Sequence, residues 1–307
     1  MAGDAAEGAA GTTGYTLGVA GLGVRVVSDS PSLSLAAQGA SRAFVSHTGT
    51  PDLCLVVGLR PLDPIPEGRL VFDSGGVWQL FEKDGRHCYR FFDRRAGTTP
   101  YKEAWLTPGG SEGEILLNPE LHSPNLPVDP LEFPLDELLF LQVLAARGGV
   151  ELHACGIVAP TGQGFLFAGQ SGDGKTTTAR LWERLPGASI LSDDRIVVRQ
   201  ETDGSWWMHG TPWHGEAELA LNARAPLDGM FILGRGERNV FSELSAAEAV
   251  TGLLARSFPI FHSAGPLEAT LALLDSLVAR VPCSSFAFSP GPDAVRAVLG
   301  RAPSGKR

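Results

Sequence analysis

Gly169-Gln170-Ser171-Gly172-Asp173-Gly174-Lys175-Thr176 fits the pattern G-x-x-x-x-G-K-[ST] at every fixed position. The apolar run 165–168 leads straight into it, and a helix-forming run, 175–185, leads out. Strand, glycine-rich turn and helix in that order bring backbone N–H groups and the positive end of a helix to one point, which suits a phosphate. The glycines permit turn angles and a close approach that a Cβ would block. Lys175 is then expected to bridge β- and γ-phosphate oxygens, and Thr176 to offer a hydroxyl to Mg2+. Gly169, Ser171, Gly172, Asp173, Gly174, Lys175, Thr176 and Thr177 together would line a nucleotide. The chain has many glycines but only four lysines, so a chance match with this context is rare.

Working outward, Ile190-Leu191-Ser192-Asp193-Asp194-Arg195 carries an apolar strand into two adjacent carboxylates. A phosphate-binding loop needs such groups nearby: one to hold Mg2+ or its water, one to accept the proton of an attacking hydroxyl. If the strand continues through them to residue 198, the two side chains alternate faces and cannot both point at one atom. Upstream, His153 and Cys155 share a face of the strand candidate 150–158. A lone strand histidine is usually structural, and neither residue has the partners that a metal pair or a thiol nucleophile would need. The loop Gly210-Thr211-Pro212-Trp213-His214-Gly215-Glu216 reads equally as part of a substrate cleft or as an ordinary packed turn. Arg256 reads as a snorkelling surface residue before a phosphate contact.

Before this region the character of the chain changes. Residues 15–130 alternate short strand-like runs, such as 53–59 and 69–72, with Gly, Pro and Ser breaks. Residues 76–92 read as a hairpin closed by Asp84-Gly85. Arg86, Arg90, Arg94 and Arg95 lie close together there and read as a solvated strand face before an anion site. A Pro-rich linker, 124–134, leads to a helix over 135–147 that stops at Gly148-Gly149 and is apolar nearly all round, which predicts burial between the two halves. Further on, strands are expected at 164–168, near Trp206 and Met230, and at 284–288. Helices are expected over 250–258 behind a Ser245/Glu248 capping box, over 267–280 and over 293–299. The domains expected are a tail (1–14), a β-rich domain (15–130), a catalytic domain (131–301) and a second tail (302–307).

The net charge of −9 and pI near 5.3 give a field that repels polyanions, which argues against nucleic acid and anionic membrane as partners. The four cysteines show neither zinc spacing nor a C-x-x-C pair and read as reduced thiols. No secretion signal and no bilayer-length apolar run is evident, which predicts a soluble, cytoplasmic protein.

His153, the loop 169–176 and Asp193-Asp194-Arg195, in this order and spacing, resemble the catalytic domain of the HPr serine kinase/phosphorylase family, whose core is similar to ATP-dependent phosphoenolpyruvate carboxykinases. The specific resemblance covers about residues 150–200. The Gly-Thr-Pro-Trp-His-Gly loop and Ala-Arg-Ser-Phe-Pro (255–259) look more like HPr-kinase-related proteins of peptide modification, including lasso peptide kinases. The resemblance implies an α/β P-loop kinase domain of the HPr kinase/phosphoenolpyruvate carboxykinase type with an N-terminal β-rich domain. It implies ATP and Mg2+ as cofactors, Asp193 with Thr176 at the metal, Asp194 as the base, Lys175 on the phosphates and His153 near them. The partner implied is a serine-like hydroxyl of a peptide, protein or small molecule. A Leu-Glu-Ile-Arg-Gly-type signature is missing and residues 15–130 do not resemble the regulatory domain of true HPr kinases, so HPr itself is not the acceptor expected. A carboxykinase-like enzyme, a non-catalytic ATP sensor and a homo-oligomer stay open.

Overall fold

A computed structural model describes residues 13–47, 49–93, 97–122, 126–260 and 264–301. Residues 1–12 and 302–307 of the expected tails, and with them Arg94, Arg95 and Pro124, lie outside the described residues. The chain is α/β, with helices and, among the described residues, two nine-stranded sheets. It divides into two compact units, one running to Gly18 and from Gly23 to Asp136, the other taking Val19–Leu22 and the chain from Glu137 on.

In the first unit, β1 (Gly14–Val19) and β2 (Leu22–Ser28) form a hairpin. Ala20 and Gly21 both take positive φ, 55° and 75°, the combination that a two-residue hairpin turn needs. Then follow β3 (Val45–Ser46), β4 (Leu53–Leu59), β5 (Arg69–Asp73), β6 (Trp78–Lys83), β7 (Arg86–Phe91), β8 (Lys102–Leu106) and β9 (Glu112–Leu117). They form one sheet in the order β3-β1-β2-β4-β9-β8-β7-β6-β5, with β4 parallel to both β2 and β9. The β6–β7 hairpin turns at Asp84-Gly85, both at positive φ, as the sequence led one to expect.

Of the two arginines of β7, Arg90 corrects the reading of a solvated strand face, while Arg86 stays half-exposed. Arg90 is buried and paired with Glu103 at 2.7 Å, while Arg86 stands over the Trp105 ring and pairs with Glu114. Lys102 is 0% exposed, and its ammonium donates to Pro130 O and Glu132 Oε1, each at 3.2 Å.

From Glu137 on, α1 (Leu135–Arg147) belongs to the second unit, and it is ended by Gly148 at φ 71°. Its strands are β10 (Gly149–Val158), β11 (Gly164–Ala168), β12 (Ser189–Ser192), β13 (Arg195–Gln200), β14 (Trp206–Gly210), β15 (Arg224–Pro226), β16 (Gly229–Arg235), β17 (Val240–Glu243) and β18 (Cys283–Phe288). The sheet runs β15-β14-β13-β10-β11-β16-β18-β17, with β12 also on β10; β16 is parallel to both β11 and β18. The helices are α2 (Lys175–Glu183), α3 (Ala246–Leu254), α4 (Ala264–Val278) and α5 (Pro292–Arg301).

Alternation along the strands sorts the core into two layers. Leu166, Ala168 and Met230 face Leu253 of α3 and Leu274 and Leu277 of α4. Phe165, Phe167, Phe231 and Leu233 face Trp182 of α2 and Val295 and Val298 of α5.

Two departures from expectation bear on the site. The strand expected to run from 190 through 198 breaks into β12 and β13, because the Ser192 hydroxyl accepts from the N–H groups of Asp194 and Arg195 and turns the chain there. The capping box at Ser245 and Glu248 is present, but α3 ends at Leu254, four residues before the expected end. Pro259 disfavours helix in the residue before it, and the backbone instead pairs with β10: His153 N donates to Arg256 O and Phe258 N to Glu151 O.

Candidate functional site

Strand β11 delivers the chain into the loop 169–176, and α2 carries it away. Gly172 and Gly174 sit at φ 86° and 104°, which a side chain rarely tolerates. A Cβ on Gly174 would stand 2.6 Å from the Phe288 ring, so both backbone angle and space require glycine there. Gly174 is also the N-cap of α2 and provides no side-chain cap, which leaves the first N–H groups of the helix to an external acceptor. Thr176 is half-buried and Thr177 exposed on that first turn.

Lys175 is 6% exposed. Its ammonium donates to Gly169 O at 3.0 Å and Gln170 O at 3.3 Å and lies 3.5 Å from Asp194 Oδ1. Burial pushes the Lys175 pKa below the ordinary lysine value, against the opposing pull of Asp194. Asp194 is the meeting point of the cluster. Its Oδ1 lies 2.9 Å from His153 Nε2, and its Oδ2 pairs with Arg195 Nη1. Burial raises its pKa, but the His153 hydrogen bond and the charges of Arg195, His153 and Lys175 outweigh it and hold the carboxyl below its ordinary value. Arg195 is fixed in turn by Glu137 of α1 at 2.8 Å, by Glu151 at 3.4 Å and by the Phe258 ring at 4.2 Å.

The structure separates the two aspartates that the sequence puts side by side. Asp193 is 1% exposed, with Oδ1 accepting from Gly215 N and Oδ2 from Ala217 N, each at 2.9 Å. Of the two carboxylates, Asp194 is the one that meets His153 and Lys175. His153 is thus brought to the loop, with its carbonyl accepting from Gly169 N at 3.0 Å. Cys155 is buried, and burial raises its thiol pKa well above the usual range, which leaves it unsuited to nucleophilic work. Trp213 is buried against Phe140 at 5.7 Å, so the 210–216 loop takes the packed-turn alternative at its tryptophan, while His214 is exposed.

Two arginines join the loop beyond what the sequence reading assigned. Arg256, expected to snorkel, is largely buried and lies 3.5 Å from Asp173, whose carboxylate also accepts from Gln170 N at 2.7 Å. Arg235 donates through Nε and Nη2 to Gly172 O at 3.1 and 2.8 Å. The signal for Arg235 was its place: it ends a strand running parallel to the one that feeds the loop, at the carboxyl edge where such sheets bind ligands. Comparison with protein-family models and with curated proteins gave no match.

Proposed function

We propose that this chain is an ATP- and Mg2+-dependent phosphotransferase, with a P-loop kinase domain of the HPr kinase/phosphoenolpyruvate carboxykinase type, which moves a γ-phosphoryl group to a serine-like hydroxyl. The observation that carries the reading is convergence. The uncapped N-terminus of α2, the Lys175 ammonium and the Asp194 carboxylate come together at one glycine loop, with Lys175 and Asp194 3.5 Å apart.

In this reading the N–H groups of α2 and Lys175 take the phosphate charge, and Lys175 leaves its loop carbonyls for the β- and γ-oxygens. Asp194, held ionised, orients the acceptor hydroxyl and takes its proton as the new P–O bond forms and the bond to the departing ADP breaks. His153 and Arg195 fix that carboxylate in place. Arg256 and Arg235 steady the loop and add positive charge beside it.

The donors fit a hard cation. Among the described residues no group of three or more His, Cys, Asp or Glu could cage a metal, whereas Mg2+ on a nucleotide needs few protein ligands beyond phosphate oxygens and water. The Thr176 hydroxyl would hold it, and its chemistry there is to neutralise phosphate charge.

Incubation with ATP, Mg2+ and a serine-containing peptide should add one phosphate to a hydroxyl, read by mass spectrometry, and leave HPr unmodified. ATP binding without transfer to any hydroxyl acceptor would instead favour a nucleotide sensor.

A further inference from the structure

The segment joining β14 to β15 runs along the turn 192–195. Near its ends, backbone and hydroxyl groups hold it: Thr211 Oγ1 donates to Arg195 O and Leu221 N to Leu191 O, each at 2.8 Å, and Ala220 bridges Ser192. In the middle, the Asp193 carboxylate holds it through Gly215 N and Ala217 N.

The contact is tight. A Cβ on Gly215 would stand 2.8 Å from Asp193 Oδ2 and 3.1 Å from Asp194 Cβ, so the loop backbone presses on both aspartates. It therefore borders Asp194, whose carboxylate faces His153 and Lys175. Asp193 itself is sealed from solvent and has one N–H on each oxygen, which suits an anchor better than a ligand to a cation arriving with a nucleotide.

We propose that Asp193 is a positioning residue that straps residues 213–217 beside Asp194, so that this loop forms one wall of the acceptor pocket, and that Asp193 does not bind the metal. The acceptor part rests on the phosphotransfer proposed above; the strap does not.

Hydrogen exchange on the full chain tests the strap directly. Asp193→Asn keeps the shape but turns an amide nitrogen toward an N–H donor, so exchange at Gly215 and Ala217 should quicken by about tenfold or more while residues 169–177 are unaffected. Gly215→Ala should quicken the same amides with Asp193 intact. Titrating Mg2+ against labelled ATP should give the same half-saturating Mg2+ for the parent and Asp193→Asn, whereas KM for a serine-containing peptide rises more than kcat falls. Unchanged exchange at 215 and 217 in Asp193→Asn overturns the proposal, and so does a raised Mg2+ requirement. If the parent protein binds no ATP, the phosphotransfer reading fails, and the strap is judged on exchange alone.

Discussion

Lys102 in the first unit and Lys175 in the second are both buried cations, and burial lowers the pKa of each. Their surroundings differ. Lys102 lies among the rings of Phe91 and Tyr101, 4.8 and 5.6 Å away, and ties a strand to the backbone and carboxylate of the segment 130–132. Lys175 lies at the end of a parallel strand and spends its donors on the carbonyls of its own loop, beside a helix start that has no cap of its own. A buried charge alone therefore says little about function. What marks the second lysine is its place on the glycine loop beside Asp194, while the partners of the first complete a core.

The largest expected effect breaks the comparison if it fails. Lys175→Met should abolish phosphoryl transfer and weaken ATP binding while lowering stability less than the matching change at Lys102, since Asp194 keeps His153 and Arg195 as partners. Lys102→Met should do the reverse, leaving nucleotide affinity intact and lowering stability by about 2 kcal/mol, because the buried Pro130 carbonyl loses its donor, although the half-exposed Glu132 can return to water. Labelled-ATP titration and denaturant unfolding on both variants read the two axes, and equal losses on both would erase the distinction.

Asp194→Asn comes next. It keeps the shape of the group beside Lys175 but removes the proton acceptor, so single-turnover transfer should fall by about 10² to 10⁴ with ATP affinity little changed. Normal transfer in that variant would move the base elsewhere in the cluster.

A smaller effect concerns His209 of β14, a buried base without a charge. Among the described residues its Nε2 has no hydrogen-bond partner, and burial, then the charges of Arg199 and Arg224, lower its pKa from 6.5 to about 4. The unfolded chain binds this proton more readily, so stability should be whole above pH 6.5 and decline as pH falls toward 4, by at most about 3 kcal/mol. Unfolding curves across that window, compared with those of His209→Leu, isolate the term. An unchanged slope in the variant would assign acid sensitivity to other groups.

Local structure was legible in the chain. The glycine-lysine loop, the Asp84-Gly85 hairpin, α1 with its glycine stop and the Ser245 capping box each depend on residues a few positions apart, so spacing alone locates them. The strand Leu53–Leu59 and the run Gly164–Ala168 were likewise marked by apolar content between breakers. Which of two adjacent aspartates meets Lys175 was not legible. That depended on a hydroxyl, Ser192, turning the chain between β12 and β13, and on two N–H groups more than twenty residues away that hold Asp193. Arg256 read mainly as a snorkelling surface residue and Arg235 was not singled out, because their nearness to the loop comes from α3 ending short beside β10 and from β16 lying parallel to β11. Sequence determines what can happen within a few residues; contacts set by strand order and by long-range hydrogen bonds have no short-range signature, and only the tertiary structure places them.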